Sequence, residues 1–320
     1  MNNTAHQAVL FNFKGDTSMG GYPPLFKSSL TYLICDGKWD RMKLSKTKIQ
    51  PFVAWAGGKT QLLPEIKQEI NRAGKFETYY EPFVGGGAVF FDLLPQKAII
   101  NDDNHELINT YRIIRDNPNE LISELKKYQN TAKDFYRIRA WDRKPDYFKL
   151  SKVKKAARFI FLNKTCFNAL YRVNHKGYFN SAYGKREKVK IVQESNLRRI
   201  SRYLNMNDIK FYAGDFMHVL ENIQPNSLIY LDPPYMPITD TANFTRYTKQ
   251  QFKANDQRRL AAKCYELDKE GEKLIISNSD TQVIRELYCN FFFNPVKAKR
   301  RINAKSSKRD SAAEVLITNF

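Results

Sequence analysis

The stretch Tyr79-Tyr80-Glu81-Pro82-Phe83-Val84-Gly85-Gly86-Gly87-Ala88 decides the fold of this chain: an apolar run breaks on three consecutive glycines and passes into a helical run, Val89–Leu94. Glycine has no Cβ, so a strand-to-helix turn built on it lets backbone approach a ligand closely. A little further on, Ile99-Ile100-Asn101-Asp102-Asp103 closes a second apolar run with carboxylates. A nucleotide-binding fold places there the acid that accepts from ribose hydroxyls. The glycine spacing departs from GxGxxG. Taken alone, the turn fits an adenosyl cofactor, a nicotinamide cofactor or a purely structural bend.

Outward from this turn, from Pro51 onward, short apolar runs alternate with helical patterns, the mark of a parallel sheet with crossover helices. Strands are expected at Thr78–Phe83, Lys97–Asn101, Ile209–Ala213, Leu228–Leu231 and Lys273–Ser277, with Cys289–Val296 and Ala313–Asn319 as a terminal antiparallel hairpin. Lys59–Ile66 reads as helix, and Trp55-Ala56-Gly57-Gly58-Lys59 as an ordinary helix-entry turn or a wrap for a cofactor's amino-acid end. Residues 105–204 read mostly as helices. Asn117-Pro118 supplies a cap and a first-turn proline for Glu120–Tyr128, and Ser151 caps the helix carrying Val153, Ala156, Ala157, Ile160 and Phe161.

Three parts follow: a poorly ordered extension at 1–45, a catalytic cofactor-binding domain at 46–104 and 205–320, and a helical, basic insertion at 105–204 that binds the substrate. Met42 stands just before the first motif and is a candidate natural start.

The 320 residues carry 53 lysines and arginines against 33 acids, a formal charge of +20, which points to a polyanionic partner. No apolar run is long enough to span a bilayer, and no signal-peptide order opens the chain. A soluble cytoplasmic protein without a membrane partner is therefore expected. The four cysteines, Cys35, Cys166, Cys264 and Cys289, form no CxxC pair and meet only four histidines, so no metal is expected and reduced thiols are.

The sharpest chemical signal is Asp232-Pro233-Pro234-Tyr235, directly after Leu228–Leu231. The lone pair of adenine's amino group is delocalised into the ring, and hydrogen bonds from its two N–H groups to fixed acceptors localise it on nitrogen. The Asp232 carboxylate and the Pro233 carbonyl suit that task. The paired prolines Pro233 and Pro234 stiffen the loop and remove competing donors, while Tyr235 offers a ring on which a flipped base can stack. Methyl transfer itself makes the amine acidic, so Asp232 is read as acceptor and orienter rather than as a base of raised pKa. A third motif, Gly214-Asp215-Phe216, has a carboxylate and a ring suited to an adenine moiety, though alone it reads as a capped turn.

In this order the motifs resemble the Dam family of DNA adenine methyltransferases, the amino or alpha group, and are most similar to its streptococcal restriction–modification members. The likeness runs from about Pro51 to the end. It rests on PFVAWAGGKTQLLPEI, YYEPFVGGGAVFFDLLP, NDDNHELINTYRIIRDNP, FNALYRVNHKGYFNSAYG, YLDPPY and NAKSSKR.

The resemblance implies an α/β fold, a Rossmann-like methyltransferase sheet with a helical DNA-binding insertion. It implies S-adenosylmethionine as donor, held by Trp55, Gly57, Gly58, Lys59, Glu81, Phe83, Gly85, Gly87, Asp102, Asp215 and Phe216, with catalysis on Asp232–Tyr235. It also implies double-stranded DNA as substrate, read by a hairpin in which Arg172 grips a guanine and Phe167, Asn168, Leu170, Tyr171 and Asn174 shape the surface. Lys185 and Lys305 join as DNA contacts, the latter within a phosphate-touching stretch, Lys297–Lys308. The resemblance leaves two settings in a bacterium or a phage: a cognate restriction endonuclease acts separately on the same site, or the enzyme stands alone as an orphan or phage methylase.

Three positions depart from the family pattern: Ala54, where members often carry lysine, Ala182 for proline, and Lys185 for arginine. They leave open whether the site is GATC or another containing GAT. Rival readings are an RNA amino-group methyltransferase, a catalytically silent DNA-binding protein of the same fold and, more distantly, a nicotinamide-dependent oxidoreductase.

Overall fold

Every residue of the strand Ser227–Leu231 is buried, and so is every residue of Thr78–Glu81. Strands covered on both faces read as continuous apolar runs rather than alternating ones, which is why both stood out in the sequence. They lie at the centre of a seven-stranded sheet.

The computed structural model describes residues 33–35, 38–40, 48–235, 252–298 and 312–320. Within the unit Met1–Lys48, β1 (Leu33–Cys35) and β2 (Lys38–Asp40) pair antiparallel. The rest of the 1–45 extension, Met42 included, lies outside the described residues, as does Lys305.

The unit Ile49–Phe320 begins with α1 (Leu63–Ala73), then β3 (Thr78–Glu81), α2 (Ala88–Leu93) and β4 (Lys97–Asp102). Five helices follow: α3 (His105–Asp116), α4 (Pro118–Leu125), α5 (Ala132–Arg139), α6 (Lys152–Thr165) and α7 (Glu194–Met206). Then come β5 (Asp208–Ala213), α8 (Met217–Leu220), β6 (Ser227–Leu231), α9 (Ala254–Lys269), β7 (Lys273–Ser279) and α10 (Gln282–Leu287). The last two strands are β8 (Phe292–Ala298) and β9 (Ala312–Thr318).

The sheet order is β5-β4-β3-β6-β7-β9-β8. β3 to β7 run parallel, and β9 is antiparallel to both β7 and β8. This is a Rossmann-like sheet closed by the expected terminal hairpin, with β9 lodged between β7 and its hairpin partner.

Alternation along the strands divides the core. Tyr79, Ile100, Leu228, Tyr230 and Leu316 face one way and pack with α1, α2, α3, α6 and α7 residues. Tyr80, Ile229, Leu231, Ile276 and Ile317 face the other, against α8, α9 and α10. The result is three layers, helix on sheet on helix.

Boundaries differ from the sequence reading where a donor is missing. The first parallel strand stops at Glu81 instead of Phe83, because Pro82 has no N–H to extend the ladder. The predicted helix at Lys59 is a 3-10 turn over Lys59–Gln61, and α1 proper starts at Leu63 with Pro64 in its first turn. Ser151 caps α6 as expected, its hydroxyl accepting from Lys154 N at 3.2 Å. Pro118 opens α4, but Asn117 makes no side-chain cap. Among the described residues no helix is long and apolar enough to cross a membrane.

Candidate active site

Strand order reverses at β3 and β6: the chain moves outward from β3 to β4 and β5, then returns to β6 on the other side. Open α/β sheets bind ligands in the crevice beyond the carboxyl ends of the strands at such a point. The glycine turn after β3 and the Asp232–Tyr235 loop after β6 both sit there.

Gly85 and Gly87 adopt φ of +49° and +73°, in the left-handed region. Each is also crowded. A Cβ on Gly85 would stand 2.6 Å from Trp55 Cδ1, and one on Gly87 would stand 2.5 Å from the Tyr111 hydroxyl oxygen. Tyr111 donates to the Gly85 carbonyl at 3.0 Å. From the end of β4, the Asp102 carboxylate accepts from Gly85 N and Asn104 N, both at 2.9 Å. Burial pushes this carboxyl up to about 6, against the pull of those two N–H groups.

The neighbouring Asn101, which the sequence reading passed over, donates to the carbonyls of Pro82 at 3.0 Å and Gly214 at 2.9 Å. It thereby ties the turn after β3 to the Gly214-Asp215-Phe216 turn after β5. In that turn Asp215 accepts from Met217 N at 2.9 Å and pairs with Arg259 of α9 at 3.1 Å. The Phe216 ring forms a cluster with Phe83 and Phe252, centroids 5.4 and 5.8 Å away, and the Arg259 guanidinium lies over it at 5.2 Å.

The second half of the site gathers around Lys59. Gly57 turns with φ +77°, and its carbonyl accepts from Lys59 Nζ at 2.6 Å. The same ammonium meets Asp232 Oδ1 at 2.8 Å with only 6 % of the lysine side chain exposed, and stands 4.8 Å from the Tyr235 ring centroid. Burial raises the Asp232 carboxyl above its ordinary value, Lys59 pulls it back down, and the carboxylate of Glu314 pushes it up again. Glu81 accepts from Tyr79 at 2.8 Å, and its carboxyl is held well above the usual range by burial. Asp232 adds to that shift.

Three other elements clamp the proline loop. Gln257 of α9 donates to the Pro234 carbonyl at 2.9 Å. The Tyr235 hydroxyl donates to Glu314 of β9 at 2.9 Å and lies 2.7 Å from Ser277 Oγ of β7. Neither Gln257 nor Glu314 was singled out from the sequence. The one clue to Glu314 is a carboxylate inside the otherwise apolar Ala312–Thr318.

The structure thus brings Trp55, Gly57, Lys59, Glu81, Phe83, Gly85, Gly87, Asp102, Asp215, Phe216 and Asp232–Tyr235 to one end of the sheet, with Gly58 closing the Trp55 turn through a 3.1 Å bond to its carbonyl.

Residues 166–184 form an irregular hairpin, with Val173 bridging Phe179 and Cys166 bridging Tyr183. Arg172 is exposed, and one of its five donors reaches Asn180 Oδ1 at 2.9 Å. Asn174 accepts from Lys176 N and Tyr178 N, both at 3.0 Å, which shapes the tip. Phe167 is 59 % exposed, Leu170 is half-buried, Asn168 turns with φ +54°, and exposed Lys185 turns with φ +52°.

Tyr171 points inward instead. It is 4 % exposed, donates to Glu106 at 3.2 Å, and stacks on Trp55 with centroids 5.7 Å apart. Trp55 therefore lies between the Gly85 turn and the base of the hairpin. Asn163 of α6 fixes its neighbour Ala54 through both backbone groups, at 3.0 and 2.7 Å.

The donor set suits a sulfonium nucleoside. Buried carboxylates outnumber Lys59, favouring a cationic ligand, and Asp102 has acceptor capacity for hydroxyls beside the three-ring cluster. Among the described residues no group of histidine, cysteine or acid side chains could hold a metal ion.

Comparison with known proteins gives one answer. Residues 55–302 match the D12 class N6 adenine-specific DNA methyltransferase family. The chain is 42 % identical over 281 residues to the type II methyltransferase M1.LlaDCHI of Lactococcus lactis subsp. cremoris, covering 87 % of this chain and 98 % of that protein. It is equally 42 % identical to the type II methyltransferase M.MjaIII of Methanocaldococcus jannaschii, over 85 % of this chain and all of the relative. It is 31 % identical to the DNA adenine methylase of Escherichia coli K12, over 84 % and 95 % of the two chains.

Proposed function

This chain belongs to the D12 class of N6 adenine-specific DNA methyltransferases, and from that premise we propose that it methylates adenine within GATC, with S-adenosylmethionine as donor, as the modifying half of a restriction–modification system. The observation that carries the reading is the Lys59–Asp232 pair at 2.8 Å, set at the sheet's switch point beside the glycine turn. S-adenosylmethionine supplies an electrophilic methyl group. The protein has to hold a flipped adenine in line with it and localise the lone pair of the amino nitrogen.

Asp232 accepts from the amino group most strongly while ionised, and burial opposes ionisation. Lys59 offsets that opposition, holding one carboxylate oxygen and leaving the other for adenine. The Pro233 carbonyl takes the second N–H, and Tyr235 stacks against the base. Asp102 would accept from the ribose of that cofactor, and Phe83 and Phe216 would hold its adenine. No base is needed before transfer, since the nitrogen gives up its proton once the methyl is attached.

Arg172 reads a guanine from the exposed hairpin face, with Phe167, Asn168, Leu170, Asn174 and Lys185 around it. Tyr171 supports that face from beneath. The 105–204 insertion is the target-recognition part, and the lysines of 297–308, Lys305 among them, grip phosphates. Two relatives of 42 % identity bear type II names, which supports partnership with a nuclease acting separately on the same site, in a bacterial or phage setting and in the cytoplasm.

The test is to express the chain in a host without adenine methylation and map N6-methyladenine across its DNA. Methylation of GATC supports the assignment, and methylation confined to another sequence removes it.

A further inference from the structure

The Tyr235 hydroxyl is satisfied by two strands that contribute no other atom to the proposed chemistry. Ser277 sits in β7 opposite Leu316 of β9, and Glu314 lies two residues from Leu316 on the same strand. In an antiparallel pair that register makes Ser277 and Glu314 diagonal neighbours on one face. Tyr235 leaves the end of β6, beside β7, and its hydroxyl drops onto that diagonal, 2.7 Å from Ser277 Oγ and 2.9 Å from Glu314 Oε2. Meanwhile the ring face lies 4.8 Å from the Lys59 ammonium, which is itself bound to Asp232.

Glu314 departs from the apolar residues that follow it on its strand. It is a half-buried carboxylate beside Val315, Leu316 and Ile317, which are all buried, and a polar partner there offsets lost hydration. Glu314 finds one in a tyrosine from a loop remote in sequence. It also stands close enough to Asp232 to push that carboxyl up, a disadvantage for an acceptor that works best ionised. A residue with only a packing role would be served as well by an apolar side chain.

We propose that Glu314, with Ser277, is a positioning residue for methyl transfer: it fixes the Tyr235 ring at the angle a flipped adenine stacks on, so that the last strand of the sheet sets the geometry of the proline loop. This rests on the reading of Tyr235 as the stacking platform. Alignment matters steeply, since misplacement by about 1 Å can lower a rate about a hundredfold. What the role requires of Glu314 is an oxygen that accepts from the tyrosine, and glutamine at this position keeps one.

The experiment compares Glu314→Ala, Glu314→Gln, Ser277→Ala, Tyr235→Phe, Tyr235→Ala and the double variant Glu314→Ala/Tyr235→Phe in the full-length chain. Three quantities are read: the single-turnover methylation rate, the affinity for S-adenosylmethionine by calorimetry, and the fluorescence of 2-aminopurine at the target adenine of a duplex. Glu314→Ala is expected to slow transfer about ten- to hundredfold and to lower the fluorescence response, with cofactor affinity within about twofold of the parent. Glu314→Gln should recover most of the rate, and in the Tyr235→Phe background Glu314→Ala should cost less than about twofold more.

Full additivity of the two changes, a Glu314→Gln defect as deep as that of Glu314→Ala, or loss of cofactor affinity in step with rate overturns the proposal. Should Glu314→Ala fail to fold, the Glu314→Gln and Tyr235→Phe rates decide it: a slow Tyr235→Phe beside a near-parental Glu314→Gln supports it, and any other pairing overturns it. If Tyr235→Ala itself transfers at the parental rate, the stacking reading fails. If Tyr235→Ala is slow while Glu314→Ala and Tyr235→Phe are not, only this inference does.

Discussion

Replacing Gly85 by alanine tests the idea that the glycine turn is shaped by the tryptophan behind it as much as by a ligand in front. The backbone at Gly85 has φ +49°, and a left-handed residue with a Cβ costs about 1–2 kcal/mol. The new Cβ would also stand 2.6 Å from Trp55 Cδ1 and 2.9 Å from Trp55 Nε1, closer than real contacts allow. Trp55 cannot retreat freely. Its ring stacks on Tyr171 at 5.7 Å and packs on Phe159 at 6.1 Å, and Asn163 holds the preceding residue at both ends.

Overpacking of this kind costs about 1–3 kcal/mol more, so the total loss is about 2–5 kcal/mol. Gly271→Ala is the control, because Gly271 has φ +83° with nothing within 4 Å of its would-be Cβ and so pays the backbone cost alone. At about 2–4 °C per kcal/mol, Gly85→Ala should melt at least about 2 °C below Gly271→Ala in cofactor-free thermal unfolding, and should bind S-adenosylmethionine more weakly. Equal melting temperatures for the two variants would refute the reasoning.

The remaining predictions concern charge. Asp232→Ala should abolish transfer while leaving cofactor binding largely intact, measured by methyl incorporation and calorimetry. It strands Lys59 buried and unpaired, and breaking such a pair costs about 3–5 kcal/mol, so Asp232→Ala/Lys59→Met should melt higher than Asp232→Ala.

Lys59→Met alone removes the group that lowers the Asp232 pKa. The acid limb of the rate–pH profile should then move to higher pH, and an unmoved limb contradicts the role given to the lysine. Asp102 titrates at about 6 in the folded chain, above its ordinary 3.8, so the folded state takes up this proton more readily than the unfolded one and stability from it falls as pH rises from 3.8 through about 6. Ligand hydroxyls donate to the ionised form, so cofactor affinity should weaken as pH drops below about 6, and Asp102→Asn should flatten that dependence in titration calorimetry. Arg172→Ala, at an exposed position, should relax the choice of site in methylation mapping with melting temperature and cofactor affinity unchanged.

The parallel strands were legible because central strands covered on both faces leave unbroken apolar runs, and the turns after β3 and β6 because glycine and proline are the residues that shape backbone directly. What escaped the sequence were partners brought in from afar. Lys59 read as a helix start and, through the resemblance, as a cofactor contact, but nothing local reveals that its ammonium is buried against Asp232. Gln257, Arg259 and Phe252 belong to α9 or the residues before it and reach the loops after β5 and β6 only once the sheet exists. Tyr171 carried the resemblance to a DNA-reading surface, yet its ring is spent on the stack with Trp55, because a short hairpin needs an apolar foot to stand on.

The position of β9 has a consequence for how the molecule comes into being. Until that strand, the last in sequence order, slides between its neighbours, β7 presents a row of unsatisfied ladder groups, and β8 has no strand to pair with among the described residues. Between the making of β7 and the docking of β9 the chain therefore carries an open sheet edge, the condition in which unrelated chains stick together. The corner that holds Tyr235 is complete only once β9 has supplied Glu314; before that the Tyr235 hydroxyl has Ser277 alone to meet.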